Sequence, residues 1–218
     1  MIPGTLNTAI MGRGTQLIAE DFTTFTEVDP NDRISLATSS ATFTALNRSE
    51  ITYAYKDYAA TPFDENFTID FDFQITTSNT SSFVDCVTLT NTLADAGSMT
   101  NYLKVGYFQN GATPQLRIVE DVGGNIVLDV YNMPNLNRLY CRFSRNEVGG
   151  GFGLGTGNLF IATSEANRDA EIWVDILGRS LNAFQDFRYM QICTSINSGT
   201  SAPVTGDISN LSYAFELI

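Results

Sequence analysis

The chain of 218 residues carries 12 basic against 24 acidic side chains, a net charge of −12, with 43% hydrophobic and 17% charged residues. Such a balance belongs to an ordinary globular protein and excludes both disorder and a basic nucleic-acid-binding surface. The absence of histidine excludes serine–histidine and cysteine–histidine catalysis and histidine-ligated zinc, leaving carboxylates, tyrosines and two lysines, Lys56 and Lys104, for acid–base work.

In chain order, MIPGTLNTAIMGRG (1–14) shows no strand alternation and is expected to be an N-terminal arm. Its Ile2, Leu6, Ile10 and Met11 need a surface to rest on, the chain's own edge or a neighbouring subunit. It has no basic region followed by an apolar block, so no signal peptide is expected. Short strands follow without helical periodicity: 15–28, which can divide in two, then 33–38, 41–46, 50–57, 67–75 and 82–90. They continue at 101–109, 114–121, 125–132, 138–145, 157–163, 170–177, 187–194 and 208–218, separated by turn signals such as DPND, QNGA and VGGN. Residues 91–100, NTLADAGSMT, have room for one helical turn. No apolar run approaches the ~20 residues of a membrane span, so no membrane partner is expected. Regular short strands with no linker between them predict one domain over 15–218, an all-β, antiparallel two-sheet β-sandwich. Its core is expected to include Phe67, Ile69, Phe71, Phe73, Leu139, Cys141, Phe143, Ile172, Val174, Leu211, Tyr213 and Phe215. The three cysteines, with no C-x-x-C spacing, read as small apolar residues rather than a disulfide framework.

The strand order, the stretch ATPFDENFTIDFDFQI, the hairpin pair YLKVGYFQNG–QLRIVED, RLYCRFSR before a glycine-rich turn and the closing TGDISNLSYAFELI resemble the concanavalin-A-like, laminin-G-like jelly rolls. The resemblance covers roughly residues 20 to 218 and rests on pattern, without an invariant motif. It implies a concanavalin-like jelly roll whose last strand returns beside the first. DFTTFTEVDPNDRI with YKDYAATPFDENFTIDFDF is also similar to a subgroup found in phage virion-associated proteins. That likeness implies a virion location and contacts with other virion or self subunits, and an arm 1–14 that reaches a neighbour makes a homo-oligomer the expectation, three-fold before two-fold.

Fold does not fix function, so each site stands on its own residues. Concanavalin-like glucanases carry E-I-D-x-E or E-I-D-x-x-E on one strand. The nearest approach here is E-I-W-V-D, in which tryptophan replaces the middle aspartate, so no catalytic residues and no enzyme activity are expected. Glu171, Trp173 and Asp175 fall on one face of the expected strand 170–177. A tryptophan plate between two carboxylates can hold a sugar, which makes these three the candidate glycan-binding residues. The competing reading packs Trp173 under a loop or against a subunit. Asp70 and Asp72, alternating with Phe67, Ile69, Phe71, Phe73 and Ile75, read as a solvated face that fixes the register. Asp29, Asn31 and Asp32 in VDPNDR are oxygen donors of the kind calcium takes. The EF-hand spacing is absent, so they read first as turn formers and second as a structural calcium site, with no other cofactor expected. The run GGGFGLGTGN (149–158) lacks the strand–turn–helix context and lysine of a phosphate-binding loop and reads as a packing site or loop. The expected function is a non-catalytic binding or assembly module on a virion surface, contacting subunits and glycans. A free lectin and a carboxylate glycosidase are the alternatives.

Overall fold

The computed structural model describes residues 17–59, 63, 66–121, 123–146, 155–181 and 186–215. The expected arm, 1–14, and most of the glycine run lie outside these residues. In chain order the strands are β1 (Ile18–Ala19), β2 (Thr26–Val28), β3 (Ile34–Ala37), β4 (Ser40–Asn47) and β5 (Tyr53–Asp57). Next come β6 (Phe67–Thr77), β7 (Phe83–Thr90), β8 (Tyr102–Asn110), β9 (Thr113–Asp121), β10 (Asn125–Asn132) and β11 (Leu139–Asn146). After β12 (Thr156–Ala162) a short helix α1 (Glu165–Asp169) precedes β13 (Asp175–Ser180), β14 (Tyr189–Thr194) and β15 (Pro203–Phe215).

Two antiparallel sheets result. Sheet A runs β13-β12-β11-β6-β15-β4-β3, with β1 also paired to β15, and sheet B runs β10-β9-β8-β7-β14-β5-β2. This is the two-sheet sandwich that the alternation implies. In sheet A, Phe67, Ile69, Phe71 and Phe73 pair with Arg145, Phe143, Cys141 and Leu139 across the β6–β11 ladder. All eight are buried. Period-2 alternation therefore places one row of each strand against sheet B, where Val84, Leu89, Val105, Leu116 and Ile118 meet it in one continuous core. Cys86, Cys141 and Cys193 are free and buried. Arg145 belongs to the same inner row; its Nη2 donates to the Phe63 carbonyl at 2.9 Å and its guanidinium lies 5.5 Å from the Phe67 ring centre. Gly157 lies opposite Arg145, and a Cβ there would come within 3.1 Å of Leu181 and 3.3 Å of Ile118. At this position the glycine run does serve close packing.

Of the expected core, Leu211 is buried, and Tyr213 and Phe215 are partly buried against the cluster. Ile172 and Val174 are corrected: they are 57% and 51% exposed. The expected strand 170–177 breaks because Ser164 caps α1, its side chain accepting the Asn167 amide, with Glu165 in the first turn and Arg168 in the last. Glu171 then turns the chain at φ 57°, and the strand starts only at Asp175. Residues 91–101 form no strand; the Ser98 and Met99 amides both donate to the Asp95 carbonyl, giving the single turn anticipated there.

Phe71 is fully buried at the centre of sheet A. Phe71→Ala should lower unfolding free energy by about 3–5 kcal/mol in urea denaturation, and a loss below about 1 kcal/mol would place that row outside the core.

Candidate ligand-binding site

The three sequence-derived candidates do not share a face. Phe160 pairs with Arg142 on one side and Ile176 on the other, on the outer side of sheet A. Trp173 packs on Phe160, with ring centres 5.2 Å apart, and the Arg142 guanidinium lies 5.5 Å from its ring centre. Glu171 accepts from Arg142 at 3.1 Å. Asp175 instead pairs with buried Ile161, on the core side of β13, and accepts its neighbour's amide, Ile176 N, at 2.8 Å. The strand that was to align the three begins only at the last of them, and the arrangement gives Trp173 the packed role.

Asp70 and Asp72 are also corrected. Neither is solvated: each is 2% exposed. Arg142, their neighbour across β11, grips Asp70 with two bonds of 2.8 and 3.0 Å. Helix α1 lies over the row and sends Arg168 to Asp72 at 2.8 Å. A bulge in β15 between Ser209 and Ser212 turns Asn210 to φ 52°, so that its side chain donates to the other Asp72 oxygen at 2.7 Å. Burial still pushes the Asp72 carboxyl above its usual range, with the Asn210 bond and Arg168 acting against it. Carboxylates occupied in this way are structural.

In VDPNDR, Asp29 accepts the Ile34 amide at 2.6 Å, Asn31 donates to Glu50 at 2.9 Å, and Asp32 sits at φ 55°. The Asp29 bond and the left-handed Asp32 shape the turn, and the Asn31 bond ties it to the segment between β4 and β5. Among the described residues no three His, Cys, Asp or Glu side chains gather as a metal site.

The outer side of sheet B holds a different arrangement. Asp85 of β7, Gly106 of β8 and Arg117 of β9 form one row across three strands. Asp85 is fully buried and Lys104 is 3% exposed. Lys104 Nζ donates to Asp85 Oδ2 at 2.8 Å and lies 4.4 Å from the centre of the Tyr102 ring. The other oxygen, Asp85 Oδ1, has no hydrogen-bond partner among the described residues. It lies over Gly106, where a Cβ would come within 2.5 Å of it. The missing side chain makes room for this carboxylate oxygen, and a notch of about 50 Å³ beside it is bordered by Asp85, Lys104, Phe83, Phe108, Arg117 and Val127. Arg117 is stacked on Phe108 at 4.2 Å and held by Gln115 Oε1 at 2.5 and 3.1 Å, so this wall is fixed. Burial pushes the Asp85 carboxyl above its ordinary range, and Lys104 opposes that.

Beside the notch, residues 91–101 cross the same face. Gln191 donates to the Ala94 carbonyl at 2.9 Å, the Ala96 amide donates to Ser195 O at 2.8 Å, and Met99 packs with Tyr102 and Val119. Thr88 Oγ1, Gln191 Oε1 and Thr194 Oγ1 are buried and unpartnered there among the described residues. A larger cleft, about 510 Å³, opens at one end of the sandwich beside Ser78, Asn79, Gln109, Pro114 and Leu136. Its polar groups answer one another: Ser78 and the Tyr107 hydroxyl both donate to Gln109 Oε1, at 3.2 and 2.7 Å, and Gln109 donates to Gly111 O at 3.0 Å. Size favours the cleft, but unmet bonding capacity favours the notch, and the second criterion is the one that recognises a ligand.

No protein-family profile matches the chain, and no curated protein sequence does. Solved structures do. Alginate lyase Aly36B superposes with TM-score 0.59 at 13% identity, over 89% of this chain and 88% of that one. The marine PL-14 alginate lyase from Aplysia kurodai gives 0.55 at 7% identity, over 91% and 89%. A functionally unknown protein from Saccharomyces cerevisiae gives 0.58 at 10% identity, over 91% and 100%. The likeness is one of fold: an antiparallel two-sheet, jelly-roll-like β-sandwich, shared with these alginate lyases.

Sequence reasoning missed Asp85, Lys104, Gly106 and Arg117. A usable signal was present, since Lys104 and Gly106 alternate with Leu103, Val105 and Tyr107 in YLKVGYF.

Removing Arg168 leaves a buried carboxylate without its cation. Arg168→Met should cost about 3–5 kcal/mol, and adding Asp72→Asn should recover most of it. A double mutant no more stable than Arg168→Met, in chemical denaturation, would mean that Asp72 is not the group Arg168 compensates.

Proposed function

We propose that the chain is a non-catalytic carbohydrate-binding module, with the notch on sheet B as its anchor. The observation that carries this reading is Asp85 Oδ1, a fully buried acceptor without a partner among the described residues, beside a notch walled by Phe83 and Phe108. A sugar hydroxyl supplies the missing donor, and the Phe83 and Phe108 rings supply apolar surface for the C–H face of a pyranose. Several features favour binding without catalysis. Lys104 is committed to Asp85, and Asp70 and Asp72 are held by Arg142 and Arg168. None of these groups is free to exchange a proton with a polysaccharide.

A glycan array, followed by calorimetry on its best ligand, tests the reading. Val127→Phe, a substitution at the half-exposed rim that fills the notch, should abolish binding, and the glycan should be recovered uncleaved. Binding needs the ionised carboxylate as acceptor. Affinity is therefore present above the Asp85 pKa and lost as pH falls through it. Because that pKa is raised, the loss should begin at a higher pH than an ordinary aspartate gives. Absence of any glycan ligand, or a Val127→Phe protein that binds as wild type does, would overturn the assignment.

A second reading, subunit contact, draws support from the adjoining edge strands β10 and β13. Ile126 and Val127 on the first are 40% and 45% exposed, and Ile172 and Val174 just before the second and Ile176 on it are 57%, 51% and 53% exposed. Large apolar side chains gathered on strand edges suit association, as a homo-oligomer or against a neighbouring virion protein. Light scattering on the full chain should give an oligomer mass that Ile176→Asp reduces to the monomer. A wild-type monomer at all accessible concentrations would remove the self-association part of this reading.

A further inference from the structure

We propose that the connection between β7 and β8, residues 91–101, is a lid that closes over a polar strip of sheet B, and that lifting it opens the strip to an uncharged glycan. The lid stands on its own geometry; its purpose rests on the carbohydrate reading, whose face it regulates.

Length comes first. Thr90, the end of β7, already pairs with Tyr102, the start of β8. An antiparallel hairpin at that point needs about two to five connecting residues. Residues 91–101 instead run out over the sheet. The Ala94 carbonyl accepts from Gln191 at 2.9 Å, the Ala96 amide donates to Ser195 O at 2.8 Å, and Met99 returns to Tyr102 and Val119. The segment thus spans the outer side from β14 to β9.

Construction comes second. The middle is held by its own bonds: Asp95 Oδ1 accepts the Gly97 and Ser98 amides at 3.0 and 3.1 Å, and the Asp95 carbonyl accepts from Ser98 and Met99. The ends are anchored separately. Thr90 Oγ1 accepts the Thr92 amide at 3.0 Å, Asn91 Oδ1 accepts the Arg188 amide at 2.9 Å, and Asn101 stands in the left-handed region at φ 54°. Among the described residues, the middle is fastened to the sheet by the Gln191 and Ser195 bonds and by the contact of Ala94 and Met99 with Tyr102 and Val119. That apolar cluster is separate from the main core.

The strip beneath comes third. Gln191 and Thr88 are partners on the β7–β14 ladder, and Thr194 lies farther along β14. All three are fully buried, yet Thr88 Oγ1, Gln191 Oε1 and Thr194 Oγ1 have no partner among the described residues. Each unmet buried group is costly, so the closed lid is held weakly. Hydroxyls and a carboxamide both donate and accept without carrying charge, which suits them to sugar hydroxyls. Lifting the lid exchanges two hydrogen bonds and one apolar contact for partners on three side chains.

The test is alkylation of a thiol introduced by Thr88→Cys in the full chain. Cys86, Cys141 and Cys193 are free and buried in the main core, so they report global unfolding in the same molecule. With iodoacetamide and peptide mapping, position 88 should react about tenfold or more faster than those three. Adding Met99→Ala should raise the rate at position 88 alone. Hydrogen exchange of the wild type reads the same opening without a substitution: the Ala96 amide should exchange about tenfold or more faster than the amides of β7 and β14. Equal rates at position 88 and at the core cysteines, or an Ala96 amide as protected as the strands, overturn the lid and leave the carbohydrate reading standing. Calorimetry on the best glycan of the array then reads the gating. Met99→Ala should tighten binding by the factor that it adds to the labelling rate, because both follow the open fraction. Unchanged affinity overturns the gating and leaves the carbohydrate reading standing. No glycan ligand for either protein overturns that reading and the gating with it.

Discussion

Strand β6 is buried on both faces, and much of the molecule outside the core follows from that constraint. Its inner row is phenylalanine and isoleucine, as a sandwich centre requires. Its outer row carries Asp70 and Asp72, both nearly inaccessible to solvent. A carboxylate taken out of water is costly unless it is paired and its remaining lone pairs are met. Arg142 on the adjacent strand meets the first need from within the sheet. The second comes from outside it: α1 delivers Arg168, and the β15 bulge delivers Asn210. The short helix and the irregular last strand are thus consequences of two aspartates.

The alternation of β6 made its inner face legible from sequence alone, and the same holds for β11. Less of the outer layer could be read. α1 has only five residues, too few for a 3.6-residue period, and its helix signals, Ser164 before Glu165 and Arg168 near the end, are local. EIWVDI alternates as a strand does, yet Glu171 turns left-handed to bring its carboxylate to Arg142. That demand originates in Asp70, about a hundred residues earlier in the chain, and no short window contains it.

The notch was hidden by register. Strict alternation back from Thr88 and Thr90 on β7 would turn Asp85 inward. The ladder to β8 instead slips between Asp85 and Val87, so that Cys86 and Val87 both join the core and Asp85 emerges on the outer side. A one-residue shift of this kind changes the face of every residue beyond it. Only the shift puts Asp85 opposite Gly106, whose missing side chain makes room for the buried carboxylate.

The two sheets therefore treat buried carboxylates in opposite ways. On sheet A the network is closed: both Asp72 oxygens have donors, and a ligand would have to displace an arginine to bind, giving up about what it gained. On sheet B the network stops one donor short. Lys104 cancels the charge of Asp85 at 2.8 Å and so removes most of the cost of burying it, but a single ammonium placed against Oδ2 does not reach over Gly106. The residual vacancy is one hydrogen bond with no net charge attached. A chain of net charge −12 repels anions at long range, and charged ligands would feel that field before any contact. A neutral group does not, and at the notch itself Arg117 adds a positive charge beyond the balanced Asp85–Lys104 pair.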